Sequence, residues 1–285
     1  MSNFAKYLMA AVGNTSSEEG VIYEDADQYS HVRFDTMNAA GVNVTGVFVH
    51  PDGTKFYHLA GIFLKEMNLS TAFNISTHGS AVNTVKITSH HSGNSLPTGI
   101  FFKPDGTKLF ITDNDDILYA YSLSTAWDIS TISSDGSKNL TGPFNLFRGP
   151  YFSPDGTKFF GIDPNLDRVK RFDLTTAWDI STIGSVVSTS SLLDISSTIS
   201  EANPRGFWMS DDGTKAYIVG AGKDRIYHFD LSTAWDVSLI NGPADSFLSI
   251  SSYETTPNAI CFSPDGKHIY IGGAVGDGVD QFSRS

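Results

Sequence analysis

Only one cysteine, Cys261, occurs in the 285 residues, so no internal disulfide can form and stability must come from packing. It stands in the apolar run "AICFS", where a small buried hydrophobe is expected. A chain without disulfides fits synthesis in a reducing cytosol. Charge is sparse and lopsided: 19 Lys and Arg against 31 Asp and Glu leave a formal net charge of −12, with no basic cluster to offset it. That balance lacks the electrostatic footprint of a nucleic-acid binder. Long hydrophobic runs are missing too. The apolar stretch at residues 7–12 is shorter than a signal-peptide core and far shorter than a bilayer span, so no membrane insertion is expected. Also absent are a Gly-x-Ser-x-Gly elbow, a His-Glu-x-x-His pair, a phosphate loop and an activated cysteine. The chain is therefore expected not to be an enzyme, and no catalytic residue, metal or cofactor is assigned.

What is plentiful is a repeat. Five turns align, at Asp52-Gly53, Asp105-Gly106, Asp155-Gly156, Asp212-Gly213 and Asp265-Gly266, with the aspartates 53, 50, 57 and 53 residues apart. Short apolar runs flank each turn, as in "GIFFK" before and "KLFITD" after, and a third run such as "RVKRFDL" or "RIYHFDL" follows. Runs of this length bounded by Gly, Pro and Asp are strand signals. A corner comes next, "STAFNIS", "STAWDIS", "TTAWDIS" or "STAWDVS", carrying Phe73, Trp127, Trp178 and Trp235. The ring is expected to plug the contact between adjoining units, and the Asn or Asp after it to accept backbone N–H bonds. A fourth strand is read from the loose pattern "VKIT" (85–88), "LDIS" (193–196) and "LSIS" (248–251); the second unit matches it poorly around "NLTGPFNLF".

A period near 50 residues with four strands per unit is that of a propeller blade. The last unit has no corner after its third strand, while "VRFD" (32–35) stands unpartnered near the N-terminus. Pairing the two closes a ring and removes the exposed sheet edges. The expected fold is all-β: a five-bladed β-propeller over residues 30–285, preceded by an arm over 1–29. Phe4, Tyr7, Leu8 and Ala11 have the spacing of a short amphipathic helix, which could dock on a second copy.

Connectivity sorts the loops onto two faces. The Asp-Gly turns and aromatic corners share one end of every blade and repeat; the other hairpins and the inter-blade connectors share the opposite end and vary. Recognition is expected on the variable face. Its most suggestive group is His90, His91, Asp113, Asp115 and Asp116, a candidate ligand-binding set whose imidazoles and carboxylates have metal-binding chemistry, although Asp is also an ordinary turn former. The strands nearest the axis offer mainly apolar groups plus His50 and Lys103, which suit strand-end surface positions.

The "FSPDGTK" turns with "RFDL" or "HFDL" strands resemble the YVTN/NHL/WD40-like propeller repeats. The "LSTAWDIS" corner resembles a repeat of predicted tailed-bacteriophage virion proteins and of surface proteins of aquatic bacteria. This resemblance implies a recognition or assembly module: a virion structural or decoration protein, made in the host cytoplasm, whose partners are other virion proteins or a host-surface glycan or protein. A lectin-like carbohydrate-binding propeller is the alternative, ahead of a metal-dependent lactonase-type hydrolase.

Overall fold

The computed structural model describes residues 28–35, 42–90, 96–186, 192–240, 243–275 and 278–284. The expected helix around Phe4–Ala11, and with it most of the arm, lies outside them, as does His91. Strand β1 (Ser30–Asp35) is followed by four blades in chain order: β2 (Val44–Val49), β3 (Lys55–Ala60), β4 (Phe63–Leu69) and β5 (His78–Lys86); β6 (Pro97–Phe102), β7 (Lys108–Asp113), β8 (Ile117–Leu123) and β9 (Ile132–Asn139); β10 (Arg148–Phe152), β11 (Lys158–Asp163), β12 (Arg168–Leu174) and β13 (Ile183–Val186); then, after β14 (Leu192–Asp194), β15 (Pro204–Met209), β16 (Lys215–Gly220), β17 (Arg225–Asp230) and β18 (Ser246–Ser249). The fifth blade consists of β19 (Pro257–Phe262), β20 (His268–Gly273), β21 (Gly278–Ser283) and, on its outer edge, β1. All pairings within these sheets are antiparallel, and innermost strands contact one another in the order β2, β6, β10, β15, β19 and back to β2. The chain is a five-bladed β-propeller.

Closure is made by backbone and charge together. Ser30 lies opposite Ser283 and Asp35 opposite Gly278, in unbroken register. From β1, His31 Nε2 and Arg33 Nη1 reach the two oxygens of the fully buried Asp280 on β21, at 2.7 and 2.8 Å. The His31 and Arg33 side chains remain about one-fifth exposed, at 20% and 23%.

Each Asp-Gly turn is built the same way. The aspartate Oδ1 accepts the N–H two residues on (Thr54, Thr107, Thr157, Thr214 or Lys267), and the glycine takes φ between 67° and 74°, where a Cβ is disfavoured. The corner aromatics are themselves left-handed, at φ 62° to 67°, which costs about 1–3 kcal/mol each unless the surroundings hold them. They are held. The N–H of Phe73, Trp127, Trp178 and Trp235 donates to the carbonyl of its own blade's turn glycine at 2.8–3.0 Å, and the ring covers that glycine so closely that a Cβ there would approach within 3.0 Å. The next residue, Asn74, Asp128, Asp179 or Asp236, caps a 3-10 turn by accepting the N–H of Ser76, Ser130, Ser181 or Ser238.

The corners also join the blades. Tyr57 of the first blade donates its hydroxyl to the Trp127 carbonyl at 2.7 Å, and the Trp127 ring stacks near Phe48 and Phe102. Trp178 meets Phe110, Trp235 meets Phe160, and Phe73 stacks on His268 of the fifth blade while accepting from Tyr270 at 2.9 Å. The fifth blade has no corner of its own. At its junction with the fourth, Tyr29, just ahead of β1, packs against the cluster that includes Tyr217, Phe262 and Phe282.

The outer strands differ from expectation. β5 starts directly after its corner and ends at Lys86, so "VKIT" covers only its last two residues and then a 3-10 turn over Ile87–Ser89. In the third blade "LDIS" splits between β14 and a short helix α1 (Ile195–Ile199). β9, which fits no such pattern, is a full strand, ISSDGSKN, polar after its first residue. These edge strands are largely exposed, so no alternation of apolar residues is required of them.

Candidate functional site

The two ends of the wheel are chemically unlike. On the turn-and-corner face, His50 and Lys103 pair with the turn aspartates Asp52 and Asp105 at 2.6 and 2.7 Å, surface positions at strand ends as expected. The opposite face, formed by the hairpins between the second and third strands of each blade and by the connectors, carries Phe63, Leu96, Leu166, Tyr253 and Val275. These are five of the seven exposed large apolar side chains among the described residues. Sequence reading singled out this face by its variability but not by these residues, because isolated apolar residues in loops carry no periodic signal.

Asp113, Asp115 and Asp116 fall together on the hairpin between β7 and β8, and two of them are structural ties. Asp113, fully buried, accepts the N–H of Asp115 and of Ile117 at 3.0 and 2.9 Å. Asp116 has φ 60° and accepts the N–H of Phe147 at 2.9 Å, pinning the connector to the third blade. Burial and the neighbouring carboxylates push the Asp116 carboxyl up from its ordinary value, against the pull of that N–H. His90 ends the 3-10 turn after β5 and lines a shallow groove with Asn83, Lys86, Ser89 and Ser130, a lining that includes none of the three aspartates. Among the described residues no three His, Cys, Asp or Glu side chains stand close enough to share a cation.

Buried carboxylates serve one purpose in four blades by two routes. In the second and third, the last residue of the second strand is Asp113 or Asp163; Asp163 binds the N–H groups of Asn145, Asn165 and Leu166. In the fourth and fifth, that position is Gly220 or Gly273, and the carboxylate comes instead from the connector. Glu201 accepts from Asn203, Gly222 and Lys223, and Glu254 from Thr256 and Val275. A Cβ on either glycine would fall within 3.0 Å of the glutamate, so the exchange of Asp for Gly makes the room that Glu fills.

The axis is plugged. Equivalent positions on the five inner strands hold Phe48, Phe101, Tyr151, Trp208 and Cys261. Ring centroids lie 5.8 Å apart for Phe48–Phe101, 5.3 Å for Phe101–Tyr151, 5.2 Å for Tyr151–Trp208 and 6.0 Å for Trp208–Phe48. Trp208 spans to Phe48 across the fifth position, where Cys261 is small and fully buried. The Cys261 thiol, surrounded by apolar groups, is pushed up to about 12. Above the plug remains a cavity of about 10 Å³, at most one water in size.

No protein-family model matches the chain, and no curated protein does. Solved structures do. The β-propeller domain of Cps50 (Swd1) from Myceliophteria thermophila is 11% identical, with a TM-score of 0.44, over 85% of this chain and 70% of that one. A protein of unknown function from Desulfotomaculum acetoxidans DSM 771 is 14% identical, with a TM-score of 0.45, over 80% and 62%. The fold and its two unlike faces define a class: a rigid propeller scaffold suited to protein interaction.

Proposed function

We propose that this propeller is a non-enzymatic recognition and assembly module, a virion structural or decoration protein that binds its partner through the hairpin-and-connector face. The observation that carries the reading is the concentration on that face of five of the seven exposed large apolar side chains among the described residues, while the other face is mostly turns and corners. The aromatic plug supports a non-catalytic role, since it fills the place where a channel-centred hydrolase would set its carboxylates. The virion assignment rests on the "LSTAWDIS" resemblance. Two of the exposed side chains, Phe63 and Tyr253, are aromatic, and this favours a glycan-binding version of the same face as the second reading.

Mass spectrometry of purified particles from a producing host should find the chain at stoichiometric level; its absence from particles would overturn the virion assignment. The face is tested separately with Leu96→Ser/Leu166→Ser/Val275→Ser. The protein should keep its thermal stability and lose binding to particles or to a glycan array. Retained binding would remove this face from the proposal.

A further inference from the structure

On each inner strand a bulge precedes the residues that line the axial cavity, and the bulged position sits at the mouth of the channel on the hairpin face. Thr45, Thr98, Arg205 and Asn258 occupy it, and Arg148, the equivalent residue of β10, is paired with Ile162 directly before its bulge at Gly149 and Pro150. Three bond to the next blade: Thr45 Oγ1 donates to the Pro97 carbonyl at 3.0 Å, Thr98 Oγ1 to the Phe147 carbonyl at 2.7 Å, and Arg205 Nη1 to Asn258 Oδ1 at 2.8 Å. Arg148 makes no such bond. Its Nε is buried without a hydrogen-bond partner, and so is Asn258 Nδ2, whose amide orientation is fixed because only its oxygen can accept from Arg205.

The mouth therefore presents two guanidiniums and unpaired donors, in a chain whose net charge is −12. Arg148 as a whole is partly exposed, with its Nε covered. Burial first, then the repulsion of Arg205, pulls the Arg148 guanidinium down to about 10, and no carboxylate counters this. The acid that acts on Arg205, Glu254, already accepts the backbone N–H groups of Thr256 and Val275. An unpaired buried donor costs free energy that a bound acceptor would return. Planar, bidentate recognition of oxyanions is what arginine does best.

We infer that the channel mouth is an oxyanion site, in which Arg148, Arg205 and Asn258 bind a phosphate, sulfate or carboxylate group at the centre of the hairpin face. The anion sits above the aromatic plug, because the cavity below has room for no more than a water. This inference is independent of the virion assignment.

The test is calorimetric titration of the full chain with inorganic phosphate, sulfate and glucuronate, at ionic strength held constant with chloride, alongside thermal unfolding in each salt. At least one of the three should bind with one site per chain and raise the unfolding temperature; which one does identifies the group as phosphate, sulfate or sugar carboxylate. Arg148→Met should weaken that binding by about tenfold or more, one charge-assisted hydrogen bond, while its unfolding temperature without the anion equals or exceeds that of the wild type. Arg148→Lys should recover part of the affinity. Binding by none of the three, or equal binding by wild type and Arg148→Met, overturns the proposal. A fall in the anion-free stability of Arg148→Met would show that the guanidinium has a structural partner, and would count against it equally.

Discussion

His58 makes the seam between the first and fifth blades sensitive to acid. It lies on β3, fully buried, with neither ring nitrogen hydrogen-bonded, its ring edge-on to Phe34 of β1 at 5.5 Å. Burial, helped by the like charges of Lys65 and His78, pulls its imidazole from an ordinary 6.5 down to about 3. Between those two values the unfolded chain holds a proton that the folded chain does not, so stability is intact above pH 6.5 and falls as the pH drops towards 3. The slope is about 1.4 kcal/mol per pH unit, which gives a loss of about 2 kcal/mol by pH 5. Replacing His58 with leucine removes both the titration and the two unpaired nitrogens. Urea unfolding at pH 7 and pH 5 measures the effect. The wild type should lose about 2 kcal/mol more than His58→Leu between those conditions, and at pH 7 the variant should be at least as stable. His50, His228 and His268, also pulled down by burial, contribute the same background to both proteins. Parallel losses in the two proteins would mean that His58 is protonated, or partnered, in the fold.

Two further outcomes test the repeat. Trp178→Ala should destabilise by about 2–4 kcal/mol through lost inter-blade packing, and Trp178→Gly by about 1 kcal/mol less, because glycine accepts the left-handed backbone without strain; a glycine variant less stable than the alanine one in urea unfolding would refute the strain argument. Gly220→Asp should overlap Glu201 and destabilise severely, whereas Gly220→Asp combined with Glu201→Ala transplants the third blade's arrangement into the fourth and should recover about 1–3 kcal/mol of coupling; additive losses in the double-mutant cycle would show that the two routes are not equivalent.

The ring was legible because its rules are local. An Asp-Gly turn needs positive φ at the glycine and a carboxylate two residues before an N–H, and a corner needs a large ring followed by a capping Asn or Asp; both are written in contiguous residues. Closure was legible from one surplus strand, Val32–Asp35, and one deficit. The outer strands carry no such signal where side chains on an exposed edge are free to be Ser, Asp or Gly, as in β9. The candidate site was harder. Asp113 and Asp116 looked like ligands because their buried backbone partners are invisible in one dimension. The signal that would have exposed them is the alternation of Asp113 and Asp163 with Gly220 and Gly273, matched by Glu201 and Glu254 shortly before a proline. Arg205 falls out of the strand's two-residue period at a bulge and Arg148 directly precedes one, so neither carries a periodic signal.

The pairing of β1 with β21 also decides how this wheel can be mounted. β21 runs from the hairpin face towards the turn-and-corner face, and β1 starts where β21 finishes, with Ser30 beside Ser283. Polypeptide joined ahead of β1 or behind β21 thus departs from a single point on the rim of the turn-and-corner face. A tether attached there, at either end, holds the propeller like a stalk beneath a flower head, with most of its exposed apolar side chains and the Arg148–Arg205 centre turned outward.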